Sequence, residues 1–410
     1  MHTNVNTMAR KRDSARAQTI PPCIVCGSDL LELFFEIESV PTQCNVLLPS
    51  RDEALNAPTG AIQLGYCQDC GHIFNTAFDP EKMEYNERYE NSLHFSQRFQ
   101  RYLDAMINGL DERYQLHSKH VIDVGCGKGE FLEALCRKTG AFGTGFDRSY
   151  VASGTDAGEP DSRANFVVDF FSEDYADQPV DLLTCRHVLE HIADPVAFLA
   201  MIRRTIGDRP GVALFLEVPN ALFTIRRHGV WDVIYEHVSY FTPNSLSTLL
   251  AATGFHDIQI CEVFDGQYLT ATAIAGDGPG CHTVWEDDRP DRLQEDILAF
   301  RNRYGALLED WRRTLSVIRR NQLRTVIWGT GSKGVTFLNA LNVGTEVPMA
   351  VDINPRKTGM YVPGTGQLVV TPELLPPFNP ELVILMNRIY EGEVAGTIRS
   401  LDLDAEIIRA

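Results

Sequence analysis

The chain has 410 residues, 44% of them hydrophobic, which is enough for two or three domains, each with its own core. Its formal net charge of −18 argues against a nucleic-acid backbone as partner, because phosphate-backbone binding rests on a surplus of cations. A basic pocket for a small anion stays open. No apolar run approaches the roughly 20 residues that span a membrane, so no membrane partner is expected.

Residues 1–20 are polar and basic and lack the apolar run of a secretory signal. They read as the disordered tail of a cytoplasmic protein. Ten cysteines in such a chain point to metal binding or free thiols rather than disulfides. A module over 21–90 follows. Cys23-x-x-Cys26-Gly27 and Cys67-x-x-Cys70-Gly71 form two knuckles that aim four thiolates at one structural Zn²⁺, with strands at 30–37 and 62–66. Four thiolates leave no open coordination position, so this metal has no expected catalytic role. Cys44 and His72 read as bystanders. The aromatic stretch 78–99, which holds Tyr85 and Tyr89, leads to an amphipathic helix at 100–118.

The stretch 91–280 carries the core. A strand at 121–124 with Asp123 embedded runs into Gly125-Cys126-Gly127-Lys128-Gly129 and then a helical pattern. Glycines permit the tight turn and let a ligand approach the main chain, at the strand end where α/β sheets place nucleotides. The strand at 142–146 ends at Asp147, roughly 20 residues on, where a carboxylate reaches a ribose. The strand at 165–168 ends at Asp169 and Phe170, an acid and a ring beside an adenine. Strands at 180–184 and 211–218 end in Cys185-Arg186-His187-Val188-Leu189-Glu190-His191 and Pro219-Asn220. The D-x-G-C-G-x-G run is similar to motif I of class I S-adenosylmethionine (SAM) methyltransferases, and segment 185–191 resembles the one after their fourth strand. That resemblance implies that Asp123, Gly125, Gly127, Asp147, Asp169, Phe170, Arg186 and His187 bind SAM.

After the last core strand comes Tyr235-Glu236-His237-Val238-Ser239-Tyr240, in a loop-like setting before a helix at 245–253. An imidazole is well tuned for proton abstraction near neutral pH, and the adjacent Glu236 offers a carboxylate to orient it. A linker at 276–290 and a long helix at 293–321 lead to a unit over 281–410. There Gly329-x-Gly331-Ser332-Lys333-Gly334 and Asp352 repeat the strand, glycine turn, helix, strand pattern. Arg356 and Lys357 beside Asp352 suit phosphate more than nicotinamide.

The order of zinc knuckles, SAM core with Glu236-His237, and glycine-rich C-terminal unit resembles the C-methyltransferases of nucleotide-linked sugars. The implied fold is α/β: a class I Rossmann-like core between a zinc module and a second Rossmann-like domain. The implied reaction is C-methylation of a nucleotide-linked keto sugar, with His237 removing the proton beside the ketone. Glu236 and Tyr89 join it as catalytic residues, and Tyr85, Tyr235, Tyr240, Lys333, Arg356 and Asn387 contact the substrate. Transfer to oxygen or nitrogen of a small-molecule acceptor is the alternative on the same scaffold. Oligomeric state is not legible in the sequence.

Overall fold

The computed structural model describes residues 20–83, 87–151, 163–207, 209, 211–227, 229–276 and 285–410. The expected tail, apart from Ile20, and Tyr85 lie outside them. No helix among the described residues is long and apolar enough to cross a membrane.

The N-terminal module holds β1 (Leu31–Pro41), the short α1 (Arg51–Leu55), β2 (Thr59–Cys67) and β3 (Ile73–Asn75). Next comes α2 (Gln97–Tyr114), which starts earlier than its apolar pattern suggests because the Ser96 side chain caps it, accepting from Phe99 N. Gln115 stops it in the left-handed region.

The core then alternates strand and helix: β4 (His120–Val124), α3 (Glu130–Thr139), β5 (Phe142–Phe146), β6 (Ala164–Val167), β7 (Leu182–Arg186), α4 (Pro195–Ile206) and β8 (Ala213–Pro219). Then come α5 (Ala221–Arg226) and the two-residue β9 (Ser239–Tyr240), followed by α6 (Pro243–Ala252), β10 (Phe255–Val263) and β11 (Tyr268–Ala275). The sheet order is β10-β11-β8-β7-β4-β5-β6. Strands β8, β7, β4, β5 and β6 are parallel, and β11 runs antiparallel beside β8. The order reverses between β4 and β7, which opens a crevice at their C-terminal ends.

The C-terminal unit begins with α7 (Pro290–Asn321) and continues through β12 (Thr325–Trp328), α8 (Ser332–Ala340), β13 (Met349–Val351), β14 (Leu368–Val370), β15 (Leu382–Leu385), α9 (Glu391–Ser400) and β16 (Glu406–Arg409). Its sheet, β14-β13-β12-β15-β16, is parallel throughout. This is a second Rossmann-like arrangement, with its reversal between β12 and β15.

Two features bind the three parts together. First, β9 pairs with β3, so the N-terminal sheet reads β1-β2-β3-β9 and takes its last strand from the stretch after His237. The N-terminal sheet therefore draws a strand from the 91–280 stretch. Second, α7 buries Phe300 against Phe34 and Phe35 of the N-terminal sheet and Trp311 against Phe337 of α8. Trp231, ahead of the Glu-His pair, packs on the same Phe337 ring. One apolar core thus runs from β1 and β2 through the α5–β9 stretch and α7 into the C-terminal sheet.

At the start of α8, a Cβ on Gly334 would lie 2.0 Å from the Gly329 carbonyl oxygen, a backbone atom that cannot step aside. Gly334→Ala is expected to lower unfolding free energy by about 1–3 kcal/mol, read by chemical denaturation. An unchanged transition midpoint would show that this turn has slack.

Candidate active site

The cofactor end is built at the tips of β4, β5, β6 and β7. Gly125, Gly127 and Gly129 all have positive φ (72°, 58° and 87°). A Cβ on Gly125 would strike Val188 at 2.2 Å, whereas nothing stands within 4 Å of one on Gly127. The Asp147 carboxylate accepts from Gly127 N at 2.8 Å and from Ser149 N at 2.7 Å, which fixes it at the end of β5. Asp169 accepts from the Tyr175 hydroxyl at 2.9 Å. Phe170 is 60% exposed, with the Arg148 guanidinium 5.1 Å over its ring. An open glycine turn, a fixed acid and an exposed ring fit a nucleoside, and these residues would hold SAM.

Two expected cofactor contacts are turned inward. Asp123 is buried and accepts from Thr184 Oγ1 at 2.6 Å; burial pushes its carboxyl up to about 6. Arg186 donates through Nε to Glu217 at 2.7 Å and lies 4.3 Å over the Phe131 ring. Glu217 also accepts from Tyr102. Burial works against the Glu217 charge, but Arg186, His187 and the Tyr102 hydroxyl hold its carboxyl below the usual range. Arg186 therefore braces the floor of the crevice rather than facing a ligand. His187, at φ 53°, does face the crevice, in a conformation that non-glycine residues adopt mainly where the surroundings force it.

From His187 a cavity of about 300 Å³ extends between the middle and C-terminal units. Glu190, His191, His237, Tyr240, Lys333 and Asn387 line it. Ligand atoms of Glu190, His191 and His237 lie within 4.8 Å of one another, and the two imidazoles meet edge to face at 5.0 Å. His191 Nδ1 is 2.9 Å from the Glu236 carbonyl oxygen. A carbonyl only accepts, so Nδ1 carries a hydrogen. Burial, then the neighbouring His191, His187 and Lys333, push the His237 imidazole well below its ordinary value. The shift favours the uncharged form of His237.

Glu236 does not orient His237. Its side chain is fully buried and points to the N-terminal module, where it accepts from the amides of Cys44 and Asn45, from Asn45 Nδ2 at 3.1 Å and from the Tyr89 hydroxyl at 3.0 Å. Tyr89 lines the cavity with its hydroxyl committed to this carboxylate, so the acid-to-imidazole pairing expected from sequence is replaced by a clamp on the loop. Tyr235 is core, not substrate contact: it is buried over Gly60 and its hydroxyl bonds the Asp79 backbone. Tyr240 reaches the cavity, but its hydroxyl exchanges bonds with the Ile234 amide and carbonyl. Lys333 reaches the cavity paired with Asp232. Arg356 lies outside the cavity lining, paired with Glu90 and Glu130 at 3.4 and 3.1 Å. Asn387 lines the cavity and donates to Gln267 at 3.0 Å. Asp352, at the acid position of the second glycine unit, bonds Thr330, Asn354 and Lys357. Sequence reasoning left Glu190, His191, Asn45 and Gln267 unassigned; for the first two, the local signal was present in segment 185–191.

The four knuckle cysteines converge. Cys23 and Cys70 Sγ are 3.6 Å apart, Cys26 and Cys67 Sγ 3.5 Å, and all four sulfurs lie within 4.8 Å. A tetrahedral Zn²⁺ with bonds of about 2.3 Å sets its sulfurs about 3.8 Å apart, so the thiol set fits the metal. Gly27 and Gly71, at φ 75° and 72°, close the two turns. Cys44 lies beside Glu236, and His72 is buried between Phe74 and Phe241 with its imidazole pushed down to about 3 by burial.

A family model for a methyltransferase domain matches residues 94–260, and one for the C-methyltransferase C-terminal domain matches 286–402. The C-methyltransferase NovU of Streptomyces niveus is 25% identical over 395 residues, covering 92% of this chain and 91% of that protein. The ubiquinone biosynthesis O-methyltransferase of Hahella chejuensis is 32% identical over 175 residues, 38% of this chain and 70% of that protein. Among solved structures, magnesium protoporphyrin IX methyltransferase (ChlM) from Synechocystis with bound SAH covers 46% of this chain and 90% of its own, at 17% identity and TM-score 0.34. The methyltransferase-domain model and the 32%-identical relative, of which this chain covers 70%, show that the chain belongs to the SAM-dependent methyltransferases. Within them its similarity reaches, over nearly its whole length, a C-methyltransferase.

Removing the Glu236 carboxylate strands the donors of Cys44, Asn45 and Tyr89. Glu236→Ala is expected to cost about 3 kcal/mol, since bonds to a charged group are worth 1.5–3 kcal/mol, with Glu236→Gln costing less. Urea denaturation checks this, and a loss under about 1 kcal/mol would mean that the clamp carries no weight.

Proposed function

We propose that the protein transfers a methyl group to the carbon beside the ketone of a nucleotide-linked keto sugar, with His237 as the general base. The observation that carries this reading is His237 itself: a neutral imidazole lining the cavity between the SAM crevice and the C-terminal glycine turn. A proton α to a ketone is weakly acidic, so removal needs a positioned base and a cation or donor for the developing enolate oxygen. Lys333 supplies the second: its ammonium has three donors, one engaged by Asp232, and its charge already acts on His237. When bound, SAM supplies an electrophilic methyl. The extent of the similarities favours carbon over oxygen, because the O-methyltransferase match covers 38% of the chain and the C-methyltransferase match 92%.

Methyl-¹³C SAM and a panel of nucleotide-linked 4-keto and hydroxy sugars in D₂O test the chemistry by NMR. Carbon-bound label, and solvent deuterium entering beside the ketone without SAM, are expected; oxygen-bound label would replace this reading with O-transfer. His237→Asn is expected to remove both signals while SAM still binds. Because the folded imidazole is held well below 6.5, kcat/KM should stay flat down through pH 6.5 and fall only at lower pH. The same shift makes protonation destabilising: stability from this group is complete above the unfolded value and is lost as pH drops below it. An acid limb at or above 6.5 would remove His237 as the base.

The reading includes a structural Zn²⁺ on Cys23, Cys26, Cys67 and Cys70. Elemental analysis is expected to find one zinc per chain, and chelation is expected to lower the thermal midpoint and then kcat, because Cys67–Cys70 leads directly into β3 and hence β9. A chain that is free of zinc and equally stable would sink the assignment.

A further inference from the structure

A second pocket, of about 180 Å³, opens between the middle and C-terminal units. Its cations are Arg98 at the start of α2, Arg227 just past α5 and Arg388 after β15, against a single carboxylate, Asp265. Asp265 bonds Arg98 Nη2 at 2.6 Å. Arg98 Nε is buried without a hydrogen-bond partner, and Arg227 and Arg388 form no ion pair among the described residues. The contrast with two cations expected to contact the substrate is direct: Lys333 and Arg356 are matched by Asp232, Glu90 and Glu130. Within its lining the pocket sets three guanidinium groups against one carboxylate, with Glu393 on the Arg98 amide and Glu391 near Arg388 just outside it. It is joined to the main cavity, since Phe223 and Gln267 line both, and Asn387 of the main cavity bonds Gln267.

We infer that the Arg98–Arg227–Arg388 pocket holds a phosphate-type oxyanion carried by the acceptor while the reacting carbon lies at His237. The inference rests on reading the main cavity as the acceptor site. A guanidinium offers paired planar donors that match phosphate oxygens, and a buried N–H without an acceptor is an unmet cost that such an oxygen removes.

The test uses inorganic pyrophosphate as probe and the full chain with SAM bound. Calorimetric titration at low ionic strength is expected to show binding to the wild type, weakened roughly tenfold by Arg227→Gln or Arg388→Gln and further in the double variant, with SAM affinity unchanged. No binding to the wild type, or undiminished binding to the double variant, would overturn the site. Pyrophosphate is also expected to raise KM for a nucleotide-linked acceptor without lowering kcat; inhibition that acceptor cannot relieve would place the anion outside the acceptor site and overturn the inference. Binding is read without turnover. Pyrophosphate bound at the arginines with no carbon-bound methyl would therefore fault the proposed chemistry and not the pocket, and the reverse result would fault the pocket alone.

Discussion

The buried carboxylate of Glu236 is the interaction on which the site depends. It gathers two backbone amides, an amide side chain and a phenol from the N-terminal module, and it sits one residue from His237. A charge taken out of water is tolerable only when its lone pairs are answered. The arrangement therefore cannot slacken gradually: the loop is seated against Cys44 and Asn45 or the carboxylate is stranded. Pairing of β9 with β3 continues the same attachment on the other side of His237. The imidazole is thus held at both flanks by a module that contributes no group to the proposed proton transfer.

That attachment changes what the N-terminal module is for. The sulfur cluster is remote from the reacting carbon in chemical terms, yet Cys67 is the last residue of β2 and Cys70 stands three residues before β3. The Cys67–Cys70 turn sets where β3 lies, β3 sets where β9 lies, and β9 begins two residues after His237. The long α7 performs the matching task for the other wall, joining Phe34 and Phe35 to Phe337 through Phe300 and Trp311.

Much of this was legible in the sequence because it is local. The glycine turn at 125–129, the acids at the ends of β5 and β6 and the second glycine unit at 329–334 are each written within a few consecutive residues, and their strand–turn–helix reading needs no distant information. The cysteine knuckles are local too, and two of them are enough to imply a tetrahedral set. What escaped is whatever depends on a partner far along the chain. Glu236 looks like the companion of His237 until residues 44, 45 and 89 claim its oxygens. Tyr235 looks like a ligand contact until Gly60 and Asp79 enclose it. Lys333 and Arg356 look like free substrate contacts until Asp232, Glu90 and Glu130 arrive, whereas Arg227 and Arg388 carry no local motif and stand out only through the pocket they line, where neither forms an ion pair among the described residues. Adjacency in sequence pointed to pairs; burial decided where each side chain turned.

The discontinuous sheet also has a consequence in time. Roughly 165 residues separate β3 from β9, and at a synthesis rate of 5–20 residues per second the β3 edge waits roughly 8–33 seconds for its partner. Throughout that interval the nascent N-terminal module displays an unsatisfied strand edge of the kind that recruits other chains. β3 is only three residues long, which limits the template it offers. A short edge strand here does for the growing polypeptide on the ribosome what β9 later does for the finished molecule.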